Sequence, residues 1–247
     1  MIIGIEGTGS QSWGQPDLTR TFVRRILDQT ALGPKVYFIG PSNGGSDGST
    51  IIDGVMKVLG QFGSASLVLV GYSRGAAYCM EVARRLGTPV KAMIMFDAVA
   101  RQPDFAIPEN VPGNVGTCFH AIRNPKSGSR YSFQNVGLHH DKGNMVFQRR
   151  YFFGSHGAMG GVSWNAQADE SGDGALNATF DVDDRQLLNI PHQPTTDLAQ
   201  DEAAAQQVAG WMWPLMSDLG VVPKAANPYM YAPAFTGSRK PGIPNYV

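Results

Sequence analysis

The chain has 247 residues, of which 43% are hydrophobic and 16% charged, a balance typical of a globular protein and unlike that of a disordered one. Its 20 basic and 20 acidic side chains cancel, so no overall field would draw it onto nucleic acid, and we expect no nucleic-acid partner. Its two cysteines are too few for a disulfide framework.

No run of residues approaches the roughly 18 apolar positions of a membrane-spanning helix, so we expect no transmembrane segment. The first residues, Met1 to Glu6, lack the basic region and the cleavage site of a signal peptide. We therefore expect a cytoplasmic protein by default, and export by a route that reads no N-terminal signal is compatible with this sequence.

Strands and helices alternate along the chain. Strands are predicted at 2–5, 36–39, 66–70 and 90–96, with helices between them at 18–27, 51–62 and 76–86. Further strands are predicted at 115–122 and 145–153, followed by a last helix at 201–219 that Pro214 should kink or end early. This alternation is typical of an α/β fold with a doubly wound, mostly parallel sheet covered by helices on both faces.

The length favours a single domain over residues 1–247. Two segments stand apart from the alternating pattern. Residues 163–194 are polar and rich in Gly, Asn and Asp, which predicts a long loop or lid. Five prolines follow residue 222, and we expect an extended C-terminal tail from about residue 223.

A Gly-x-Ser-x-Gly sequence, Gly71 to Gly75, comes directly after a predicted strand and directly before a predicted helix. At a nucleophile elbow of this kind the serine backbone is strained, and the flanking glycines let strand and helix approach closely. Ser73 would then stand above the carboxyl edge of the sheet. The position of the motif therefore predicts an α/β-hydrolase-like fold with Ser73 as nucleophile; the alternative is an ordinary glycine turn.

A serine hydroxyl becomes a good nucleophile only when a base removes its proton, and histidine usually does this. His156 follows the predicted strand 145–153, in a loop that should converge on Ser73. The other histidines lie inside a strand, in a polar loop or in irregular chain: His120, His139, His140 and His192. His156 is the candidate general base, against the alternative of a surface loop histidine.

The third member of a triad is a carboxylate that orients the imidazole. Asp97 follows the strand after the one that carries the nucleophile, which gives the chain order Ser, Asp, His expected of this fold. Asp97 is therefore the candidate acid, against the alternative of an aspartate that caps the next turn. Asp181 and Asp197 are weaker candidates because they come after His156.

Ester cleavage also needs hydrogen-bond donors for the oxyanion that forms at the carbonyl. The backbone N–H of Arg74, directly after the nucleophile, is one expected donor. The second should come from the loop after an early strand, where Gly7 and Thr8 are small enough to turn a backbone N–H toward the site. An ordinary tight turn at these residues is the alternative.

Six short blocks follow one another in order: Glu6 to Thr8, Gly71 to Ala76, Phe96 to Val99, His120 and Ala121, Gly154 to Gly161, and Trp211 and Met212. They resemble the α/β-hydrolase domain family that includes phospholipase effectors of the bacterial type VI secretion system. That family carries Gly-Phe-Ser-Arg-Gly-Ala at the nucleophile, Phe-Asp-Thr-Val on the next strand and Gly-x-His-Ser-Asp-Val-Gly-Gly at the histidine. The resemblance supports Ser73, Asp97 and His156 together and implies a lipid or phospholipid substrate.

The chain departs from the family pattern at three acidic positions. The aspartate two residues after the histidine is Ala158, the first-strand aspartate is Glu6, and an acidic pair after His120 and Ala121 is replaced by Asn124 and Pro125. If one of those aspartates serves the histidine in relatives, this chain uses Asp97 instead or has lost full activity.

Two functions remain open at this point. One is a serine esterase or lipase that cleaves carboxylic esters, and a lipid substrate would bring it into transient contact with a membrane surface. The other is a catalytically idle hydrolase-fold protein that binds or scaffolds. A metal site at His139 to Asp141 is disfavoured because adjacent residues cannot easily all face one ion, and we expect no metal and no cofactor.

Overall fold

Seven strands in the described part of the chain form one sheet, in the order β6-β5-β4-β3-β1-β2-β7. The computed structural model describes residues 1–8, 21–42, 45–100, 104–127, 134–141, 143–161, 198–230 and 240–246. The strands are β1 Ile2–Ile5, β2 Lys35–Phe38, β3 Val68–Tyr72, β4 Val90–Phe96, β5 Val115–Arg123, β6 Val146–Phe152 and β7 Asn245–Tyr246. The helices are α1 Phe22–Gln29, α2 Gly48–Phe62, α3 Arg74–Leu86, α4 His156–Met159 and α5 Leu198–Asp218.

The strands β1 to β6 pair in parallel, and β7 joins β2 antiparallel at one edge. The register places Ile5 opposite Gly71 and Tyr72 opposite Phe96, so that the carboxyl ends of the central strands lie level with one another. This arrangement confirms the predicted α/β-hydrolase-like, mostly parallel sheet.

Helices cover both faces of the sheet because successive strand side chains point to opposite sides. Ile3 and Ile5 of β1 are buried in one core with α2 and α3. Ile2 of the same strand is buried in a second core with α1 and α5. These two cores fix the height of each strand end, and therefore the positions of the loops that follow.

The last helix, Leu198–Asp218, confirms the predicted helix at 201–219 within a few residues. It does not end early at Pro214 but continues to Asp218. Proline removes one backbone donor from a helix interior, and burial of Met212, Trp213 and Met216 against the sheet offsets that loss.

Two other predicted segments are seen only in part or not at all. Residues 163–194 lie outside the described residues. The tail from residue 223 is described at 223–230 and 240–246, and its end forms β7 against β2. Among the helices of the described residues, none combines the length and apolar character that crossing a bilayer requires.

Candidate active site

The predicted site residues meet at the carboxyl edge of the sheet. The chain runs from β1 to β2 on one side and then returns to β3 on the other, which makes the gap between β1 and β3 a topological switch point. In open α/β sheets the ligand crevice lies outside the carboxyl ends of the strands at such a point. Gly7 follows β1 there and Ser73 follows β3.

Ser73 occupies the sharp turn between β3 and α3. Its backbone has φ 58° and ψ −128°, a conformation that non-glycine residues rarely adopt. A Cβ at Gly75 would lie 2.3 Å from the carbonyl oxygens of Ile5 and Glu6, so only glycine lets α3 begin this close to β1. The sequence therefore folds into a nucleophile elbow at this point.

His156 is the first residue of the short helix α4. The side chain of Ser155 caps this helix by accepting a hydrogen bond from the Ala158 amide at 3.2 Å. The imidazole is buried, and its Nε2 lies 2.8 Å from Ser73 Oγ. Because His156 lies in the segment that follows β6, its side chain reaches Ser73, although the two residues are 83 positions apart in the chain.

Asp97 follows β4 and is fully buried. Its Oδ2 lies 2.7 Å from His156 Nδ1 and accepts from Arg123 Nη1 at 2.6 Å. Its Oδ1 accepts from the Arg123 amide at 3.1 Å and from Asn135 Nδ2 at 2.7 Å. Both oxygens of the carboxylate are thus engaged, and one of them holds the histidine.

The charge on Asp97 determines the proton positions on His156. Burial alone would raise the pKa of Asp97, but the Arg123 guanidinium and the hydrogen bond from His156 hold it well below its usual range. An ionised carboxylate only accepts hydrogen bonds, so His156 Nδ1 must donate. In the neutral imidazole this leaves Nε2 as the acceptor facing the Ser73 hydroxyl.

Tyr72, directly before the nucleophile, is a site residue that the sequence did not reveal. Its ring stacks on the His156 imidazole with centroids 5.1 Å apart, and its hydroxyl donates to the His156 carbonyl at 3.1 Å. A Cβ at Gly7 or Gly160 would lie 2.7 or 2.6 Å from this ring. Tyr72 therefore contacts the loop after β1 and the loop that carries His156.

Three further residues contact Asp97 or the loop that carries His156, and the sequence did not reveal them. Arg123 ends β5, directly beside β4, and Asn135 reaches Asp97 from a loop. Asp201 of α5 accepts from the Ser155 amide at 2.7 Å, which anchors the loop that carries His156. Arg123 at the carboxyl end of a strand is the one signal that the sequence offered.

The candidate oxyanion donors flank Ser73. Arg74 is the first residue of α3, where backbone N–H groups point out of the helix. The ideal Cβ position of Gly7 lies 3.0 Å from Ser73 Cβ, so the loop after β1 passes beside the nucleophile. Thr8 follows Gly7 in this loop.

The other described histidines have different surroundings. His120 Nε2 accepts from the Ala98 amide at 3.1 Å and Nδ1 faces the Gly137 carbonyl at 3.0 Å, which ties the loop after β4 to its neighbours. Burial lowers the pKa of His120 to about 4. His139 and His140 are exposed, and the described residues include no group of three or more His, Cys, Asp or Glu side chains arranged to hold a metal. The rival residues Asp181, Asp197 and His192 lie outside the described part of the chain.

Comparison with known proteins adds little to this geometry. No protein-family model matches the chain, and no curated protein sequence matches it. The solved structure of RedJ with a PEG molecule bound in the active site is similar at 15% identity, with 74% of this chain and 88% of that chain covered and a TM-score of 0.42. The RedJ thioesterase from the prodiginine biosynthetic pathway in Streptomyces coelicolor gives 14% identity, coverage of 73% and 85%, and a TM-score of 0.37.

The type II thioesterase BorB from the borrelidin biosynthetic cluster is also similar, at 13% identity, with coverage of 63% and 83% and a TM-score of 0.37. Likenesses at these identities and TM-scores carry no information about the chemistry of this chain. The resemblance to the family of phospholipase effectors stays a prediction.

Proposed function

We propose that this chain is a serine hydrolase that cleaves carboxylic esters through an acyl-enzyme, with Ser73, His156 and Asp97 as its triad. The observation that carries the proposal is the continuous series of hydrogen bonds from Ser73 Oγ to His156 Nε2 at 2.8 Å and from His156 Nδ1 to Asp97 Oδ2 at 2.7 Å. Both distances lie within the reach that proton transfer requires.

In the first step His156 Nε2 takes the hydroxyl proton while Ser73 Oγ attacks the ester carbonyl carbon. The imidazole then carries a positive charge on its ring. The Asp97 carboxylate, kept ionised by Arg123, stabilises that imidazolium and keeps Nε2 directed at the reaction.

The carbonyl oxygen becomes an oxyanion as the tetrahedral intermediate forms. The Arg74 backbone N–H, at the N-terminus of α3, is one proposed donor. The second proposed donor is a backbone N–H of Gly7 or Thr8, in the loop that passes beside Ser73.

The intermediate collapses when the imidazolium returns its proton to the leaving alkoxide, which departs as an alcohol and leaves the acyl group on Ser73. A water molecule then loses a proton to His156 and attacks the acyl carbon. Breaking the acyl bond releases the carboxylic acid, and the proton on His156 returns to Ser73 Oγ.

Lipid and phospholipid esters are the proposed substrate class within this chemistry. The support is the six-block resemblance, together with the exposed aromatic ring of Phe153, 47% accessible and three residues before His156. Exposed aromatic side chains suit contact with the interface between a membrane and water.

A panel of nitrophenyl esters and phospholipids, assayed with wild type and Ser73→Ala, tests the proposal. We expect wild type to turn over at least one ester and the variant to lose roughly 10⁶-fold in kcat, the size seen when a triad serine is removed. Ser217→Ala, on α5 and far along the chain, is the matched control and should keep wild-type activity. Ester hydrolysis within tenfold of wild type in Ser73→Ala would contradict the mechanism, and a wild type without turnover would favour the idle binding protein.

A further inference from the structure

Glu6 is a carboxylate beside the candidate site that the mechanism above leaves without a role. It follows β1 and is 1% exposed. Its Oε1 accepts from the Thr21 hydroxyl and from Tyr37 Oη, the latter at 3.1 Å. Burying a carboxylate costs free energy, so hydrogen-bond donors gathered around a buried carboxylate indicate that it has a specific role.

The backbone on either side of Glu6 is held between two elements of the site. A Cβ at Gly75, at the start of α3, would lie 2.3 Å from the Glu6 carbonyl oxygen. A Cβ at Gly40, after β2, would lie 1.8 Å from the Gly7 carbonyl oxygen. The Glu6 amide also donates to the Phe38 carbonyl at 3.0 Å. The chain from Glu6 to Gly7 thus runs between the nucleophile elbow and the end of β2.

The Glu6 carboxylate also joins this segment to the loop that carries His156. Thr21, which donates to Glu6, is the N-cap of α1 and accepts from the Arg24 amide at 3.2 Å. The next residue, Phe22, donates its amide to the Gly160 carbonyl at 2.8 Å. Gly160 directly follows α4, whose first residue is His156.

We propose that Glu6 is a positioning residue, whose carboxylate fixes the Gly7–Thr8 segment beside Ser73 by binding it to α1 and β2. The proposal rests on the proposed function, since that gives the Gly7–Thr8 segment its part as oxyanion donor. Burial raises the pKa of Glu6 to about 7, while hydrogen bonds from Thr21, Tyr37 and the Gly7 backbone oppose the rise. Thr21 and Tyr37 are the two side-chain donors that the carboxylate brings together.

Glu6→Gln is the variant that tests this role. An amide keeps the size of the side chain but has one accepting oxygen in place of two, and its nitrogen only donates. The Thr21 and Tyr37 hydroxyls both donate to Oε1, and a neutral amide oxygen accepts more weakly than an ionised carboxylate, so the segment should be held less firmly. Glutamine carries no charge to desolvate, so the fold should survive the change.

We expect Glu6→Gln to lower kcat by about 10- to 100-fold, less than outright loss of an oxyanion donor, with KM within about threefold of wild type. Affinity for an alkyl boronic acid, which forms a tetrahedral adduct on a serine, should fall with kcat. Asp28→Asn is the matched control, because Asp28 pairs with Arg24 on the same helix without touching Glu6, and it should keep wild-type kcat. A kcat of Glu6→Gln within twofold of wild type would overturn the proposal.

Amide hydrogen exchange provides a second test that needs no activity. Glu6→Gln should speed exchange of the Gly7 amide by about tenfold, because the segment that carries this amide is held less firmly to α1 and β2. Unchanged exchange at Gly7 would overturn the positioning role even if the protein is an esterase. Faster exchange in a protein without ester turnover would retain that role and refute only the proposed function. If Glu6→Gln does not fold, Thr21→Val must show the same faster exchange at Gly7, and unchanged exchange there overturns the proposal.

Discussion

Asp97 shows most clearly how single residues determine the chemistry of this site. Its carboxylate is buried, holds His156 Nδ1 at 2.7 Å and is paired with Arg123 at 2.6 Å. An aspartate that only caps a turn would not require a hydrogen bond to His156. The role of triad acid and the role of turn cap predict different effects on kcat when the charge of Asp97 is removed.

We expect Asp97→Asn to lower kcat by a factor on the order of 10⁴, because an amide favours the wrong imidazole tautomer. Its free energy of unfolding should also fall, by about 3 to 5 kcal/mol, because the buried Arg123 guanidinium loses its ion pair with the Asp97 carboxylate. Asn135→Ala removes a hydrogen bond from Oδ1 and leaves the His156 contact, so its kcat should stay within about tenfold of wild type. Near-normal kcat in folded Asp97→Asn would contradict this role for Asp97. The alternatives would then be Asp181, Asp197 or a dyad of Ser73 and His156 without a carboxylate.

Tyr72 allows its hydroxyl and its ring to be tested separately. Tyr72→Phe loses the bond to the His156 carbonyl and should cost about 1 kcal/mol of unfolding free energy, with kcat reduced a few-fold. Tyr72→Leu also loses the ring that stacks on the imidazole, and its kcat should fall further. Steady-state kinetics with urea unfolding of both variants measures this, and equal kcat in the two would deny the ring a positioning role.

At this scale the sequence predicted the three side chains that the structure brings within hydrogen-bond distance of one another. Ser73, Asp97 and His156 each come just after a strand that could be recognised from its apolar run. Tyr72, Arg123 and Asn135 escaped because their roles depend on contacts between elements far apart in sequence. Arg123 contacts Asp97 across 26 residues, a distance that no local pattern records.

At the scale of elements, α5 shows that packing can override the local conformational preference of a residue. Proline at position 214 predicts a kink or an early end, yet the helix continues because Met212 and Met216 are buried on either side of it. Strand positions were predicted closely for β1 and β4, whose apolar runs coincide with the strands, whereas β3 lies two residues later than predicted, at Val68–Tyr72. The helix α3 begins two residues earlier than predicted because the elbow at Ser73 allows no linker.

The continuation of α5 leads to a stability prediction. Pro214 is exposed, so Pro214→Ala restores a backbone donor without loss of burial and should raise the free energy of unfolding by about 1 to 3 kcal/mol. Gly210→Ala, an exposed position of the same helix with open space around it, should raise it by about 1 kcal/mol. Denaturant unfolding of both measures the difference, and a destabilised Pro214→Ala would mean that the proline is needed where it stands.

At the scale of the whole molecule, two buried groups make opposite contributions to the pH dependence of stability. Glu6 has a folded pKa of about 7 against an ordinary value of 4.5, so the folded state keeps a proton that the unfolded state releases, and stability falls as pH rises through this window. His120 has a folded pKa of about 4 against 6.5, so the unfolded state binds the extra proton and stability rises with pH between those values. The two contributions oppose each other from about pH 4.5 to 6.5.

Comparison of wild type with Glu6→Gln isolates the contribution of Glu6, because that of His120 is common to both proteins. The difference in unfolding free energy, variant minus wild type, should increase by up to about 3 kcal/mol between pH 4.5 and pH 7. Urea unfolding across that range provides the measurement. A difference that is independent of pH would mean that Glu6 titrates near its ordinary pKa in the folded protein.

The central claim, an activated serine at position 73, is tested most directly by a fluorophosphonate probe followed by intact-mass and peptide mass spectrometry. We expect wild type to gain one probe adduct, located on Ser73, and Ser73→Ala to gain none. His156→Ala should react at least about 100-fold more slowly, because the hydroxyl loses its base. A wild-type protein that stays unlabelled, or labelling that persists in Ser73→Ala, would contradict the account.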